Sequence, residues 1–334
     1  MPNDVLTRAI DALCSGDHLT ADHTSAALDE IMEGRAGEVQ TAAFLVALRA
    51  KGETVGELVG LARTMRRLAA PVETAHAHLV DTAGTGGGPS TFNISTAAAL
   101  VAAGAGCPVA KHGNRSSTSR SGSADLLEAL GVRIDLGPND VARCIDEVGF
   151  GFMFAPRHHA AMKHVVPVRK ELAVRTVFNF LGPLTNPAGA TRQLIGVSDR
   201  HHQETIAEAL VALGCERGLV VSGETRNVEV VDGGTREWFA KAEDVGVEPA
   251  PIEAIAGGTP DENAEVVRAV LAAKPGPALE VVALNAGGAI LVGGGAEDVA
   301  GGVVRAREAI ASGAAMKVLE QLVALSTELA PHQP

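Results

Sequence analysis

Tyrosine is absent from this 334-residue chain, and aromatic residues make up only 3% of it, against 38 glycines. With few rings to fill gaps and with alanine and glycine abundant, the helices must pack closely on small side chains. Cysteine is scarce as well. Cys14, Cys107, Cys144 and Cys215 are widely separated, and none belongs to a C-x-x-C pair. That spacing supports neither a zinc knuckle nor a redox dithiol, and it reads as buried free thiols in a reducing cytosol. No charged segment followed by an apolar one opens the chain, and no apolar run reaches membrane-spanning length. The expectation is a soluble, cytoplasmic protein with no membrane partner. Positive charge is the last deficit. A formal net charge of −12 argues against broad nucleic-acid binding, and it requires any anion site to concentrate cations locally. The sequence also lacks a G-x-S-x-G elbow and a Cys–His signature, so no nucleophile–base pair stands out.

Apolar spacing predicts helices near 3–15, 20–33, 37–51 and 54–69, with Thr54 and Glu57 forming a capping box. From about residue 76, short β runs alternate with helices, which predicts a largely parallel sheet covered by helices. The candidate strands are His78–Thr82, Pro108–Lys111, Gly151–Ala155, Gln193–Val197 and Gly218–Ser222. Val228–Asp232 and Glu237–Phe239 flank Gly233-Gly234 as a hairpin, and the last seventy residues are mostly helical. Met162–Leu172 reads as a helix, followed by a long loop through two prolines and two glycines, Arg175–Gly189. Long loops inside compact domains are often functional, and this one reads as a crossing between domains.

Two polar signatures carry the chemistry. The first, DTAGTGGGPSTFNIST from Asp81 to Thr96, places Gly84, Gly86, Gly87 and Gly88 after an apolar run and before an alanine-rich helix. Such a turn lets backbone N–H groups approach phosphate oxygens at a helix N-terminus. Pro89 stands where a dinucleotide fingerprint needs its third glycine, and no Gly-Lys-Ser/Thr closes a P-loop. Asn93, Ser95 and Thr96 add polar side chains where the helix begins; a plain N-cap is compatible with that. The second signature, KHGNRSSTSRSGSAD from Lys111 to Asp125, follows a predicted strand at the edge where open α/β sheets bind ligands. Together they describe a site for a multiply phosphorylated small molecule. Arg157, Lys163, Arg169, Lys170 and Arg175 face only Glu171 in their stretch, and Arg169 at helical spacing suits a carboxylate-bearing substrate. His158, His159 and His164 fit no metal motif and read as structural.

Taken together, these blocks resemble the anthranilate phosphoribosyltransferases, within the nucleoside phosphorylase-like transferases. The resemblance runs nearly end to end, through AFLVALRAKGET, GTGG…TFNIST, KHGNRSS…SGSADLLEALG, PVRKELAVRTVFNFLGPLTNPAG, DENAEVVRAVL and ALNAGGAI. It implies a small all-helical domain (residues 1–70, with a contribution from about 165–185) beside a larger α/β domain (76–330) with a mostly parallel central sheet, and a homodimer formed through the helical domains. It also implies transfer of the phosphoribosyl group from 5-phosphoribosyl 1-diphosphate to the amine of anthranilate, with release of pyrophosphate, in tryptophan biosynthesis. The donor would be held by Gly84, Gly87, Gly88, Thr91, Asn93, Ile94, Ser95, Thr96, Lys111, His112, Gly113, Asn114, Arg115, Ser116, Ser117, Ser119 and Ser123. Anthranilate would meet Gly84, His112, Asn114, Arg169 and Gly182, and one Mg²⁺ would touch Ser95. The alternatives are a paralogue with the same donor and another acceptor, or an inactive relative that binds nucleic acid.

The chain departs from that family twice. Its glycine loop is one residue shorter and lacks the usual Asp. The Asp-Glu pair that the family places after a later strand is replaced by a run from Val221 straight into ETRNVEVVDGG. Either Glu229 matches the Glu of the pair, with Val228 in place of Asp, or the acidic loop is deleted and Thr225–Val230 is itself the next strand. The second alignment is preferred, and both leave a second metal site without its acidic pair.

Overall fold

A computed structural model of the chain describes residues 2–116, 120–223 and 225–330. Four helices come first: α1 (Asp4–Cys14), α2 (Ala21–Met32), α3 (Glu38–Lys51) and α4 (Val55–Leu68). Their buried stripes match the predicted spacing, with Leu6, Leu28, Phe44, Leu48 and Leu61 fully buried. The Thr54–Glu57 capping box is present and does more than cap. Glu57 also accepts from the backbone N–H of Leu19 (2.9 Å) and from Lys51 Nζ (3.0 Å). Burial would raise the pKa of this carboxyl, but the Leu19 and Thr54 donors and Lys51 hold it below the usual range. One acid thus ties the α1–α2 connection to the start of α4.

The remainder alternates strands and helices. In order come β1 (Val80–Gly84), α5 (Ile94–Gly104), β2 (Val109–Gly113), α6 (Ser123–Ala129), α7 (Pro138–Val148), β3 (Phe150–Phe154), α8 (Ala155–His158), α9 (Val166–Leu172), α10 (Phe178–Leu184), β4 (Arg192–Gly196), α11 (Gln203–Ala212) and β5 (Arg217–Val221). The hairpin β6 (Arg226–Val231) and β7 (Gly234–Phe239) follows, then α12 (Pro260–Leu271), α13 (Pro277–Val292), α14 (Val299–Ala311) and α15 (Ala314–Leu329). The sheet order is β3-β2-β1-β4-β5-β6-β7, parallel through β5 and antiparallel at the two hairpin strands. Alternate residues divide its two faces, as the pleat requires. Leu194 and Leu219 join the core under α5, α13, α14 and α15, whereas Ile195 and Val220 join the core shared by α11 and the N-terminal helices. The shortage of rings shows in the helix contacts. A Cβ on Gly302 would lie 2.2 Å from Gly287 O, so α13 and α14 meet backbone to backbone.

Several sequence expectations shift. Met162–Leu172 is not one helix: a 3₁₀ turn (Ala160–His164) precedes α9, because Pro167 belongs in the first turn of a helix and not in its interior. The Arg175–Gly189 segment is not structureless. It carries α10, whose Phe178, Phe180, Leu181 and Leu184 are buried and sustain a short helix despite Pro183 inside it. β1 begins at Val80 and leaves exposed His78 to face Glu216. The hairpin turns at Asp232-Gly233, both with left-handed φ (53° and 74°), which matches the twist of the flanking strands. Cys107, Cys144 and Cys215 are buried as expected, but Cys14, at the end of α1, is exposed. Among the described residues no single helix is long and apolar enough to cross a membrane.

Candidate active site

The carboxyl ends of β1, β2 and β4 converge on one edge, and both polar signatures lie there. A cavity of about 260 Å³ opens between β1, β4, the start of α5 and Asn285 of α13. Of the predicted donor residues, Gly84, Thr91, Asn93, Ile94 and Ser95 line it. Gly87 and Gly88 continue the loop, and Gly87 has a left-handed φ of 83°. Thr96, next to Ser95 of the cavity wall, is fully buried and its hydroxyl has no partner among the described residues. A larger cleft of about 680 Å³, between the Glu243–Val245 turn and α14, lies away from this edge. Its arginines are engaged elsewhere, Arg305 with Gly295 O and Ala105 O and Arg307 with Glu280.

Lys111 lies beneath the cavity, 1% exposed. Its Nζ donates to Thr82 O and stands 3.3 Å from Thr82 Oγ1 and 3.4 Å from Ser95 Oγ. Burial pulls its pKa down to about 8, against the attraction of Asp81. Asp81 is buried too, so its pKa is pushed up even though Lys111 and Asn186 favour the carboxylate. Asp81 also positions the next motif, accepting from His112 N (3.2 Å) and from Asn186 Nδ2 (2.8 Å). Neither Asp81 nor Asn186 stood out in the sequence, although Asn186 sits in the LGPLTNP block.

His112 links the two expected substrate regions. Its Nδ1 lies 3.1 Å from Gly182 O on α10; a carbonyl only accepts, so Nδ1 carries the proton and the unpartnered Nε2 presents a lone pair. Burial, with His159 only 5.0 Å away between ring centroids, lowers its pKa to about 3. Burial likewise lowers His159 to about 4. This wall is therefore uncharged at neutral pH. Arg169, half-buried on α9, has its guanidinium 5.3 Å from the centroid of Phe178, which lies one helical turn before Gly182 on α10. Burial alone lowers its pKa, and no carboxylate among the described residues pairs with it.

Other predicted residues have partners within the fold. Arg115 bonds Asp125 (2.8 Å) and Glu128 (2.9 Å) and lies over Phe154, and these acids raise its pKa further. Asn114 accepts from Arg115 N at 2.7 Å and is exposed. Ser116 N donates to Asp125. Gly113 leaves room for Ser123, because a Cβ there would lie 2.7 Å from Ser123 Oγ. Ser117 and Ser119 lie outside the described residues.

Asn93 is the hub of a network that the sequence did not reveal. Its Oδ1 accepts from Asn263 Nδ2 (2.8 Å) and Ser121 Oγ (3.1 Å), while its Nδ2 donates to Ser121 O (3.1 Å). Asn263 in turn accepts from Gly258 N (2.8 Å), and the preceding segment pairs with the glycine loop through Gly257 N and Ser90 O (2.9 Å). The DENA block at the start of α12 therefore supports the donor loop from behind. Asn263→Ala would leave Gly258 N–H and half of Asn93 Oδ1 unpaired, a cost of about 2 kcal/mol. Urea unfolding should register that loss, and steady-state kinetics should show a severalfold rise in donor KM with the acceptor KM unchanged. A full-strength donor site in this variant would contradict the supporting role.

Magnesium would find few ligands from the chain itself. Among the described residues no group of three His, Cys, Asp or Glu side chains is placed to hold a metal ion. Glu229 sits within β6, paired to β5, and its carboxylate bonds Arg236 at 2.7 Å. The structure thus supports the alignment in which this segment is the next strand. The Ser95 hydroxyl, the expected metal ligand, belongs to a residue that lines the cavity and lies 3.4 Å from Lys111 Nζ.

Comparison with known proteins agrees with this geometry. Residues 7–69 match the glycosyl transferase family helical bundle domain, and residues 76–316 match the glycosyl transferase family a/b domain. The anthranilate phosphoribosyltransferase of Moorella thermoacetica is 49% identical, over 96% of this chain and 98% of its own. The crystal structure of the Thermus thermophilus anthranilate phosphoribosyltransferase superposes with a TM-score of 0.90 at 45% identity, covering 96% of this chain and 99% of that one. The Saccharomyces cerevisiae enzyme in complex with 5-phosphoribosyl 1-diphosphate and Mg gives 0.87 at 27% identity, covering 97% and 98%. This chain belongs to the anthranilate phosphoribosyltransferase family.

Proposed function

We infer that the chain transfers the phosphoribosyl group of 5-phosphoribosyl 1-diphosphate to the amine of anthranilate, releasing pyrophosphate, as a step of tryptophan biosynthesis. The observation that carries this reading is the His112–Gly182 hydrogen bond, which joins the phosphate-binding edge of the sheet to the helix beside the unpaired Arg169. The glycine loop and α5 N-terminus receive phosphate oxygens, Lys111 supplies buried positive charge, and Arg169 takes the anthranilate carboxylate bidentately. Mg²⁺, when bound with the donor, neutralises phosphate charge.

With both substrates held, the amine nitrogen bonds to the anomeric carbon as the bond to the diphosphate oxygen breaks. The electron pair leaves with pyrophosphate, and the proton that the amine sheds passes to the pyrophosphate oxyanion or to solvent water. His112 Nε2, the ring nitrogen left with a lone pair, would accept a hydrogen bond from that amine. Its low pKa keeps it neutral, so it adds no cation beside the oxocarbenium-like centre. Catalysis then rests on positioning and on charge stabilisation, which accounts for the missing nucleophile–base pair.

The protein works in this reading as a cytoplasmic homodimer. Val39 and Val46, seven residues apart on α3, are exposed, as are Val166 and Val174 around the neighbouring α9, and this apolar face suits a second copy. The test is to mix the protein with both substrates and Mg²⁺, follow the loss of anthranilate fluorescence, and sediment the same sample. Turnover that requires the donor, by a species of twice the 34.1 kDa chain mass, is expected. No turnover at any Mg²⁺ level would sink the reading, and a monomeric active species would remove the dimer from it.

A further inference from the structure

We propose that Arg175 is a donor-site residue: its guanidinium, laid over the glycine loop from the segment between α9 and α10, binds the diphosphate of the donor. The inference rests on the donor reading above and adds to it a group that the sequence motifs did not assign.

Three observations converge on this residue. A Cβ on Gly87 would stand 2.2 Å from Arg175 Nη1 and 2.7 Å from its Cζ, so the guanidinium fills the space that a side chain would take. Gly87 is thus required twice over, by its positive φ and by the cation above it. Next, the hydrogen bonds of the guanidinium among the described residues go to neutral oxygens, Ser198 Oγ at 3.2 Å and Thr85 O at 3.4 Å. No carboxylate among the described residues pairs with it, whereas Arg115 of the second signature has two. Finally, the backbone of Arg175 is anchored, its carbonyl accepting from Arg49 Nη1 of α3 at 2.7 Å. The segment that carries the guanidinium over the loop is thereby tied to α3.

The charge balance of the site favours this role. The glycines offer only N–H groups, Arg115 is spent on two acids, and Lys111 lies under the cavity floor. A donor with a diphosphate and a further phosphate leaves anionic oxygens facing the loop, and a planar guanidinium can bridge two of them. Negative charge grows on the diphosphate as its bond to the anomeric carbon breaks, so the contact strengthens towards the transition state.

Calorimetric titration with two probes, inorganic pyrophosphate and ribose 5-phosphate, separates this role from a scaffold role. Arg175→Gln should weaken pyrophosphate binding roughly tenfold, the loss of one charge-assisted contact, and leave ribose 5-phosphate within twofold. Arg175→Lys keeps a cation without the fork and should weaken pyrophosphate about threefold; it decides the matter alone if the glutamine variant does not fold. Pyrophosphate binding equal to that of the unaltered protein in these variants would overturn the assignment, as would equal weakening of both probes. Failure of the unaltered protein to bind 5-phosphoribosyl 1-diphosphate would instead overturn the donor reading beneath it.

Discussion

Replacing Arg169 with alanine is expected to raise the anthranilate KM about 50-fold while the donor KM stays within twofold. The magnitude follows from the environment. The guanidinium is half-buried, rests on the Phe178 ring and has no carboxylate partner among the described residues, so in the proposed function the substrate carboxylate would supply its charge-assisted hydrogen bonds. Losing bonds of this kind costs about 2.3 kcal/mol, which converts to that factor. Arg169→Lys should recover only part of the loss, because a point charge cannot reproduce the two parallel bonds. Stability should move the other way or not at all. An unpaired, partly desolvated cation opposes folding, so thermal unfolding of the alanine variant should match or exceed that of the parent. A marked drop in melting temperature with both KM values raised would mean that Arg169 holds the fold, not the substrate.

Much of this site is legible because phosphate recognition at a helix start depends on local backbone. Four glycines in five residues, followed by an alanine-rich helix, can be read without knowing the rest of the fold. The alternation of β runs and helices is local in the same way, so the parallel sheet and its binding edge are predictable from residue order. The partners of Asn93 and Arg175 are not. Asn263 lies 170 residues from Asn93 in sequence, and Arg175 is 90 residues from Thr85. Such pairs exist only once the chain has folded, and no periodicity encodes them. Arg115 shows what a basic run leaves open. Within its motif it reads as a phosphate ligand, yet Asp125 and Glu128 on α6 sit within reach. A basic run shows where positive charge is concentrated, not which cations remain uncompensated. The α10 segment was missed for a related reason: Pro183 signals a loop by local propensity, whereas the buried Phe178, Phe180 and Leu181 outweigh it in the folded molecule.

Donor affinity should fall as pH rises through about 8, and Lys111→Met should both remove that dependence and weaken donor binding about 50-fold. Lys111 Nζ sits under the cavity beside Ser95 Oγ, so its charge acts on the phosphates at short range with little solvent between. A unit charge some 4–5 Å away contributes about 3 kcal/mol at the effective dielectric of such sites, enough for the expected loss. The pH window comes from its pKa of about 8, below the ordinary value of 10.5. Below pH 8 the buried amine is charged, which serves the donor but opposes folding. Between pH 8 and 10.5 the unfolded chain binds more protons than the folded one, so stability rises with pH while donor binding declines. Competing titrations lie elsewhere. Phosphate monoesters complete ionisation near pH 6, His112 stays neutral above about 3, and burial pushes the Cys215 thiol up to about 12. Asp81 faces Lys111 directly; burial raises its pKa, while Lys111 and Asn186 favour the carboxylate. The profile should therefore show one alkaline limb in donor KM and none in anthranilate KM. A flat donor profile from pH 7 to 9.5, or an inflection that survives in Lys111→Met, would remove the buried amine from the donor site.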